Sequence, residues 1–371
     1  MARIKTFEDW IDVFREWQKQ IDVDPEIFDR VLGGYNLEAK YGDLHTDEIE
    51  FGEFAGLRKW DKVLEIPDQR MRDAVLNMII YQGDTEFASN EQQRHLLRNA
   101  PSDYDLYSIV RVFVEETRHG YQMCHLLITH FGNDGRIEAE KMLQRRADQG
   151  TRLLNAFNTP VHHWLDLFAY QNYMDRDGKF QLQMLSHSGF APLARSMGPM
   201  LREESFHLGT GVTGLRRVAK ANVVPVALQQ KYHNKWLSGS LDLFGTDHSS
   251  SATWAYIWGI KGRPNEDKED SDADRERLNE HARQAYYEEI KKIVDQTNAL
   301  IPDGEARLYT PDIRFNRKIG EFAGKRYSVD GRTLDKDQYE DHLRETLPTE
   351  EDEKQVLEYL KREDWVAPKA A

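Results

Sequence analysis

Twice along this chain, a glutamate and a histidine three residues later interrupt an otherwise apolar helical stripe. The first instance is "VFVEETRHGY", 112–121, and the second "MLREESFHLG", 200–209. Around the first, Val112, Glu116, His119, Met123 and Leu127 recur at steps of three and four, so they share one helix face. Met197, Leu201, Glu204, His207 and Gly211 trace the same path around the second. Such a face belongs in a core, where an unpaired carboxylate or imidazole costs several kcal/mol. These stripes carry no matching cations. A divalent metal removes the cost by accepting the carboxylate and one imidazole nitrogen.

A two-metal site among helices needs two more carboxylates. Val75, Ile79, Gln82 and Glu86 form a third stripe, and Trp164, Phe168, Gln171 and Asp175 a fourth. Each sets one acid in a mostly apolar face, with a glutamine four residues earlier. Glu86 lies 30 residues before Glu116, and Asp175 lies 29 before Glu204. Glu86 and Asp175 are 89 apart, and Glu116 and Glu204 are 88 apart. The chain therefore reads as two equivalent halves, each a carboxylate helix followed by a Glu-x-x-His helix. The predicted ligands are Glu86, Glu116, His119, Asp175, Glu204 and His207. Asp177 breaks the spacing by two and is the alternative to Asp175. Glu115 and Glu203 sit about 100° around their helices from the ligands and read as supporting or surface groups.

The rest of the pattern agrees with long helices. Periodic segments cover roughly 68–98, 104–131, 159–187 and 189–219, with a charged helix over 133–156 and another at 279–299. "DPEIFDRVLGGYN" reads as a short helix ended by its Gly-Gly pair, and "EFGEFAG" as loop or short strand. Residues 262–281, acidic and poor in apolar groups, read as a solvated loop. After "IPDG" the texture changes to alternation, with a hairpin-like turn at 329–331. The expectation is an all-α chain with a four-helix bundle core and extra helices over 1–300. Residues 301–371 would form a small mixed C-terminal extension packed on the bundle.

Composition narrows the function. A net charge of −14 argues against nucleic acid or an anionic membrane as the main partner. No apolar run is long enough to span a membrane, and the charged start "MARIKTFEDWIDVF" does not read as a signal peptide. The single cysteine, Cys124, permits no internal disulfide, suits a reducing cytoplasm and reads as a small buried side chain.

Other motifs weigh less. "GTGVTG", 209–214, has the letters of a dinucleotide-binding loop but follows a helix instead of a strand, so its glycines read as sites of close helix packing. Tyr121, Tyr170 and Tyr173 read as core tyrosines near the ligands, with a redox role as the alternative. "HSSSATW" has no acylation motif around its serines. The arginines of "EQQRHLLR", 91–98, read as a solvated helix end or a contact to an anionic substrate.

The phrases "QGDTEFASNEQQRHLL", "VEETRHGYQ", "DRDGKFQLQMLSHSGFAPLARS" and "EESFH" resemble the oxygenase components of benzoyl-CoA 2,3-epoxidases. These are ferritin-like di-iron monooxygenases, distantly related to the catalytic subunit of phenylacetyl-CoA epoxidase. The similarity is strongest over 76–220 and returns in "RFNRKIGEFAGKRYSVDGRTLD". Carried over by motif, the resemblance implies the same six ligands, with Asp175 as the first acid of "DRDGK". It also implies two iron ions, O₂ as co-substrate, an aromatic acyl-CoA as substrate, and a cytoplasmic monomer or homodimer. NADPH would act only through a separate flavin and iron–sulfur reductase, since the chain has no cysteine cluster or nucleotide fold of its own. The competing readings of such a site are an iron-storage protein and a radical-generating subunit.

Overall fold

The computed structural model describes residues 9–247, 249–266 and 278–369. The first eight residues, His248 and 267–277 of the acidic stretch lie outside the described residues. Among the described residues the regular structure is helical, and strand pairing is limited to isolated bridges. The helices are α1 (Asp9–Gln20), α2 (Glu26–Leu32), α3 (Gln69–Gln93), α4 (Asp103–Gln144), α5 (Trp164–Ser186) and α6 (Ala191–Ala221). They continue with α7 (Val226–Leu243), α8 (Ser250–Ile257), α9 (Leu278–Asn298), α10 (Lys336–Thr346) and α11 (Glu350–Leu360). The all-α expectation holds.

Local chemistry sets the helix ends. The Asp68 side chain accepts from the Arg70 amide at 2.8 Å to open α3, and Ser102 accepts from the Asp105 amide at 3.2 Å to open α4. Gly33, in the left-handed region at φ 72°, closes α2. The helix expected separately over 133–156 is instead the far end of α4. It resumes after one non-helical residue, Gly132 (φ 58°, ψ −128°), and stops at Gln144. Only glycine adopts that conformation without strain. Short 3₁₀ turns at Ala147–Gln149 and Asn155–Asn158 replace the remainder.

Contacts divide the chain into two compact units. The first comprises Met1–Pro160, Leu185–Glu203 and Ile257–Gly262; the second comprises Val161–Met184, Glu204–Tyr256 and Arg263–Ala371. In the first unit, aromatic packing fastens α1 and α2 onto α3 and α4. Phe14 and Trp17 lie 5.6 and 5.1 Å from Phe87 between ring centroids, and Phe28 stacks on Phe113 at 5.4 Å. Pro199, inside α6, cannot donate to the Arg195 carbonyl, and the Gly42 amide takes that place at 2.8 Å. The substitution anchors the extended segment around residues 38–42.

A buried charge cluster ties the turns after α4 to α3. Arg152, with no exposed side-chain surface, donates to Asp84 Oδ1 at 3.0 Å, Glu91 Oε1 at 2.6 Å and the Met142 carbonyl at 3.0 Å. Both arginines of 91–98 are committed within the chain as well: Arg94 pairs with Asp148 at 3.4 Å and Arg98 with Asp22 at 2.7 Å.

In the second unit α7 is the hub. Asp166 of α5, fully buried, accepts from Lys235 at 2.8 Å and from the Trp236 indole at 2.5 Å. Lys231 pairs with Asp352 at 2.8 Å, which fastens α11. Tyr286 of α9 donates to the Tyr173 carbonyl at 3.1 Å. The alternating stretch within 301–371 forms no strand among the described residues. It keeps one antiparallel bridge, Tyr327 to Thr333, around the expected turn, where Gly331 has φ 82°. Pro311, Gly320 and Gly324 break the alternation before a ladder can extend.

Arg152→Met removes the cation that Asp84 and Glu91 share and leaves them Arg145 and Arg146 as cations, at 3.2 and 3.6 Å, so the expected loss of stability is about 3 kcal/mol. Urea denaturation measures it; removing the half-exposed Arg136–Glu140 pair instead leaves the midpoint nearly unchanged.

Candidate metal centre

Two glycines let α3 and α4 approach closely. A Cβ on Gly120 would lie 2.6 Å from the Phe87 ring, and one on Gly83 would lie 2.9 Å from Met123 Cβ and Met142 Sδ. At this crossing Glu86, Glu116 and His119 converge, each offering a ligand atom within 4.8 Å of the others. All three are buried, at 6, 4 and 0 % exposure. The apolar members of their stripes, Val75, Ile79, Val112, Met123 and Leu127, are buried as well.

Neighbouring side chains orient these groups. Gln82 donates to Glu86 Oε1 at 2.6 Å, and Ser89 donates to Glu116 Oε1 at 3.2 Å. The Gln93 amide in turn donates to Ser89 Oγ at 2.7 Å. His119 turns Nδ1 toward Glu86 Oε2 at 3.3 Å, while Nε2 sits 2.9 Å from Glu203 Oε2. Glu203 also receives Arg118 Nε at 2.8 Å and Lys40 Nζ at 3.1 Å. A carboxylate holding one imidazole nitrogen fixes the ring and frees the other nitrogen for a metal. The supporting role of Glu203 is thus explicit, whereas its counterpart Glu115 accepts from Arg111 Nε at 2.8 Å.

Electrostatics follow from the geometry. Burial opposes the charge on Glu86, but the His119 charge and hydrogen bond win and pull it down to about 2. Burial likewise opposes protonation of His119; the charge of Glu86 and the bonds to Glu203 and Glu86 outweigh it and raise the imidazole to about 9. Glu203, against its burial, is held well below the usual carboxylate range by His119 and Arg118.

The second unit carries the other half of the predicted set. Asp175, Glu204 and His207 are buried at 6, 5 and 0 % exposure, and His207 Nδ1 lies 3.2 Å from Glu204 Oε2. A Cβ on Gly178 would sit 3.6 Å from Glu204 Oε1. Gly178 follows Asp175 by three positions, so the Glu204 carboxylate reaches the face of α5 that carries Asp175. Asp177 accepts from Gln181 at 3.1 Å.

"GTGVTG" lies inside α6, as its helix-packing reading requires. A Cβ on Gly211 would fall 2.5 Å from the Asn172 amide nitrogen, and one on Gly214 would fall 2.1 Å from the Phe168 ring. Ser249 of "HSSSATW" accepts from the Ala252 amide at 3.2 Å at the start of α8; the side chains of Ser250 and Ser251, like His248, lie outside the description. Tyr121, Tyr170 and Tyr173 are buried core residues, and Tyr173 shares a hydrogen bond of 2.5 Å with His233 Nδ1.

Carboxylate oxygens and imidazole nitrogens, buried and clustered without cysteine, suit a divalent first-row metal. Fold and donor set together define a helical protein with buried carboxylate–histidine clusters able to hold a metal. Comparison with known proteins refines that class. The family model described as phenylacetic acid catabolic protein matches residues 64–322. Benzoyl-CoA oxygenase component B of Aromatoleum evansii is 36% identical over 87% of this chain and 79% of its own length. One subunit of the 1,2-phenylacetyl-CoA epoxidase of Escherichia coli (strain K12) is 22% identical over 49% of this chain and 53% of its own. The chain belongs to the phenylacetic acid catabolic protein family, which has a ferritin-like helical fold.

The raised His119 pKa gives a signed prediction for the metal-free chain. Its stabilisation is fully present below the unfolded value of 6.5 and is lost as pH rises through about 9. Glu86, held low, contributes throughout that window. Urea midpoints of the metal-free protein therefore fall between pH 6.5 and 9. Glu203→Gln flattens the fall, and a curve for this variant parallel to the wild type contradicts the assignment.

Proposed function

We propose that this chain is the oxygenase component of a di-iron monooxygenase acting on the ring of an aromatic acyl-CoA. The proposed reaction is epoxidation of benzoyl-CoA, with O₂ as co-substrate. The 36% identity to benzoyl-CoA oxygenase component B over most of both chains carries the reading. The buried cluster of Glu86, Glu116 and His119 supports its chemistry. In this proposal Glu86, Glu116 and His119, with Asp175, Glu204 and His207, hold two iron ions. Bound there, iron would supply O₂ activation, with the electrons coming from outside the chain. The relative is named as a component B, which supports a separate electron-supplying partner; we assign this role to a flavin and iron–sulfur reductase using NADPH. A cytoplasmic monomer or homodimer belongs to the same proposal. No helix among the described residues is long and apolar enough to cross a membrane.

The chain's own residues contribute position, charge and dryness. Glu203 keeps the His119 ring from rotating and takes the charge of its outer nitrogen, while His119 and Arg118 keep Glu203 ionised against its burial and Lys40 adds a hydrogen bond. Gln82 and Ser89 each donate one hydrogen bond to these carboxylates, to Glu86 and Glu116 respectively, which restrains their orientation in the cluster. The buried apolar neighbours Val75, Ile79, Val112, Met123 and Leu127 keep water from Glu86, Glu116 and His119, which strengthens every charge interaction there.

Turnover with the reductase distinguishes this function from metal storage. The expected result is an oxygenated CoA product from benzoyl-CoA, formed faster than from phenylacetyl-CoA. Consumption of NADPH and O₂ without such a product overturns the reading, and a reversed preference moves the substrate to the second thioester. Metal analysis is expected to give two irons per chain, with Glu116→Ala and Glu204→Ala each losing them.

A further inference from the structure

An acyl-CoA carries a pyrophosphate and a 3′-phosphate, and this chain has a net charge of −14. Such a ligand needs a local group of uncommitted cations to receive it. Many cations of the second unit are already spent. Lys231 pairs with Asp352, Lys235 with Asp166, Arg307 with Asp303 and Lys361 with Glu358. The stretch "KIGEFAGKR", 318–326, differs. Lys318, Lys325 and Arg326 are exposed and form no ion pair with a carboxylate among the described residues. Glu321 is the one acid within those nine residues.

Aromatic rings stand among these cations. Lys325 Nζ lies 5.4 Å from the centroid of the Phe322 ring, and the Arg314 guanidinium covers Tyr327 at 4.6 Å. The two rings meet edge to face at 6.1 Å. Rings that accept a flat partner, beside cations that bond phosphate oxygens, are the chemistry of adenine nucleotide recognition. The stretch is also preorganised. Asp242, at the end of α7, accepts from Arg317 Nε at 2.6 Å and from the amides of Lys318 and Ile319 at 2.7 and 3.2 Å. Ala323 donates to the Gly320 carbonyl and Lys325 to the Phe322 carbonyl, each at 3.1 Å, closing successive turns. Gly320 and Gly324 take the positive φ values, 81° and 71°, that these turns require. Little ordering cost then remains for binding.

We infer that the 318–326 knuckle binds the phosphate-bearing adenosine end of the acyl-CoA substrate. This inference rests on the acyl-CoA reading above and gives that reading a subsite. Calorimetric titration of the full chain with adenosine 3′,5′-bisphosphate, benzoyl-CoA and 3′-dephospho-benzoyl-CoA tests it. The variant is Lys318→Gln/Lys325→Gln/Arg326→Gln, and the control is Arg344→Gln/Lys354→Gln/Lys361→Gln on α10 and α11. The first variant is expected to bind benzoyl-CoA and the bisphosphate about tenfold or more weakly. It is also expected to lose the wild-type preference for the 3′-phosphorylated thioester, with an unchanged thermal midpoint; the control matches the wild type. Wild-type affinity in the first variant overturns the subsite and leaves the acyl-CoA reading standing. Binding of the bisphosphate at the knuckle without any binding of benzoyl-CoA keeps the nucleotide site and overturns the acyl-CoA reading. A wild-type chain that binds none of the three overturns both.

Discussion

The close crossing of α3 and α4 at Gly120 and Gly83 is the constraint on which the first unit depends. It places acids and an imidazole from two helices within reach of one another, deep in apolar surroundings. Burying those groups is unfavourable unless each is neutralised. In the chain alone, His119 between Glu86 and Glu203 carries part of that burden by holding a proton. Under the proposed function, a metal ion at the same place would do so more completely, since it would replace the proton and satisfy carboxylates that the imidazole does not reach. On that proposal the arrangement is costly when empty and favourable when filled, which couples folding to metal binding.

The surroundings of the cluster make the same point from the outside. Aromatic packing of Phe14 and Trp17 on Phe87 presses the ring against the space above Gly120, so the core itself sets the helix separation. Arg152, Asp84 and Glu91 lock the turns after α4 to α3 in a fully buried ion network. Glu203 reaches His119 from a helix whose start is fastened to the segment around Gly42 by the carbonyl that Pro199 leaves unpaired. Together these contacts hold Glu86, Glu116 and His119 in register.

Much of this is readable from residue spacing. The stripes containing Glu86, Glu116, Asp175 and Glu204 are periodic over several turns, and the burial of most of their members, though not of Gln82 and Leu201, follows from that periodicity. Helix packing at Gly211 and Gly214 is legible because a glycine-rich loop needs a preceding strand, and the chain offers a helix instead. Other features have no local signal. Gly132 breaks α4 with one residue, which a periodicity window passes over, so 133–156 reads as an independent helix although the helix stops at Gln144. Glu203 reads only as a supporting or surface group, because its partners Arg118, His119 and Lys40 are up to 163 residues away and no spacing rule connects them. The alternation of 306–334 suggests strands, but period-two patterning forms a ladder only where a neighbouring strand is available.

The most direct test of the central claim is the stability of the chain as a function of metal. The metal-free protein is titrated anaerobically with ferrous ion and unfolded with urea at each concentration. The account predicts a midpoint that climbs with free metal, by roughly 2.7 kcal/mol at a hundred times the dissociation constant. In His119→Ala the climb is lost. A wild-type midpoint that ignores ferrous ion contradicts the claim that the buried acids and imidazoles of these helices are there to hold a metal.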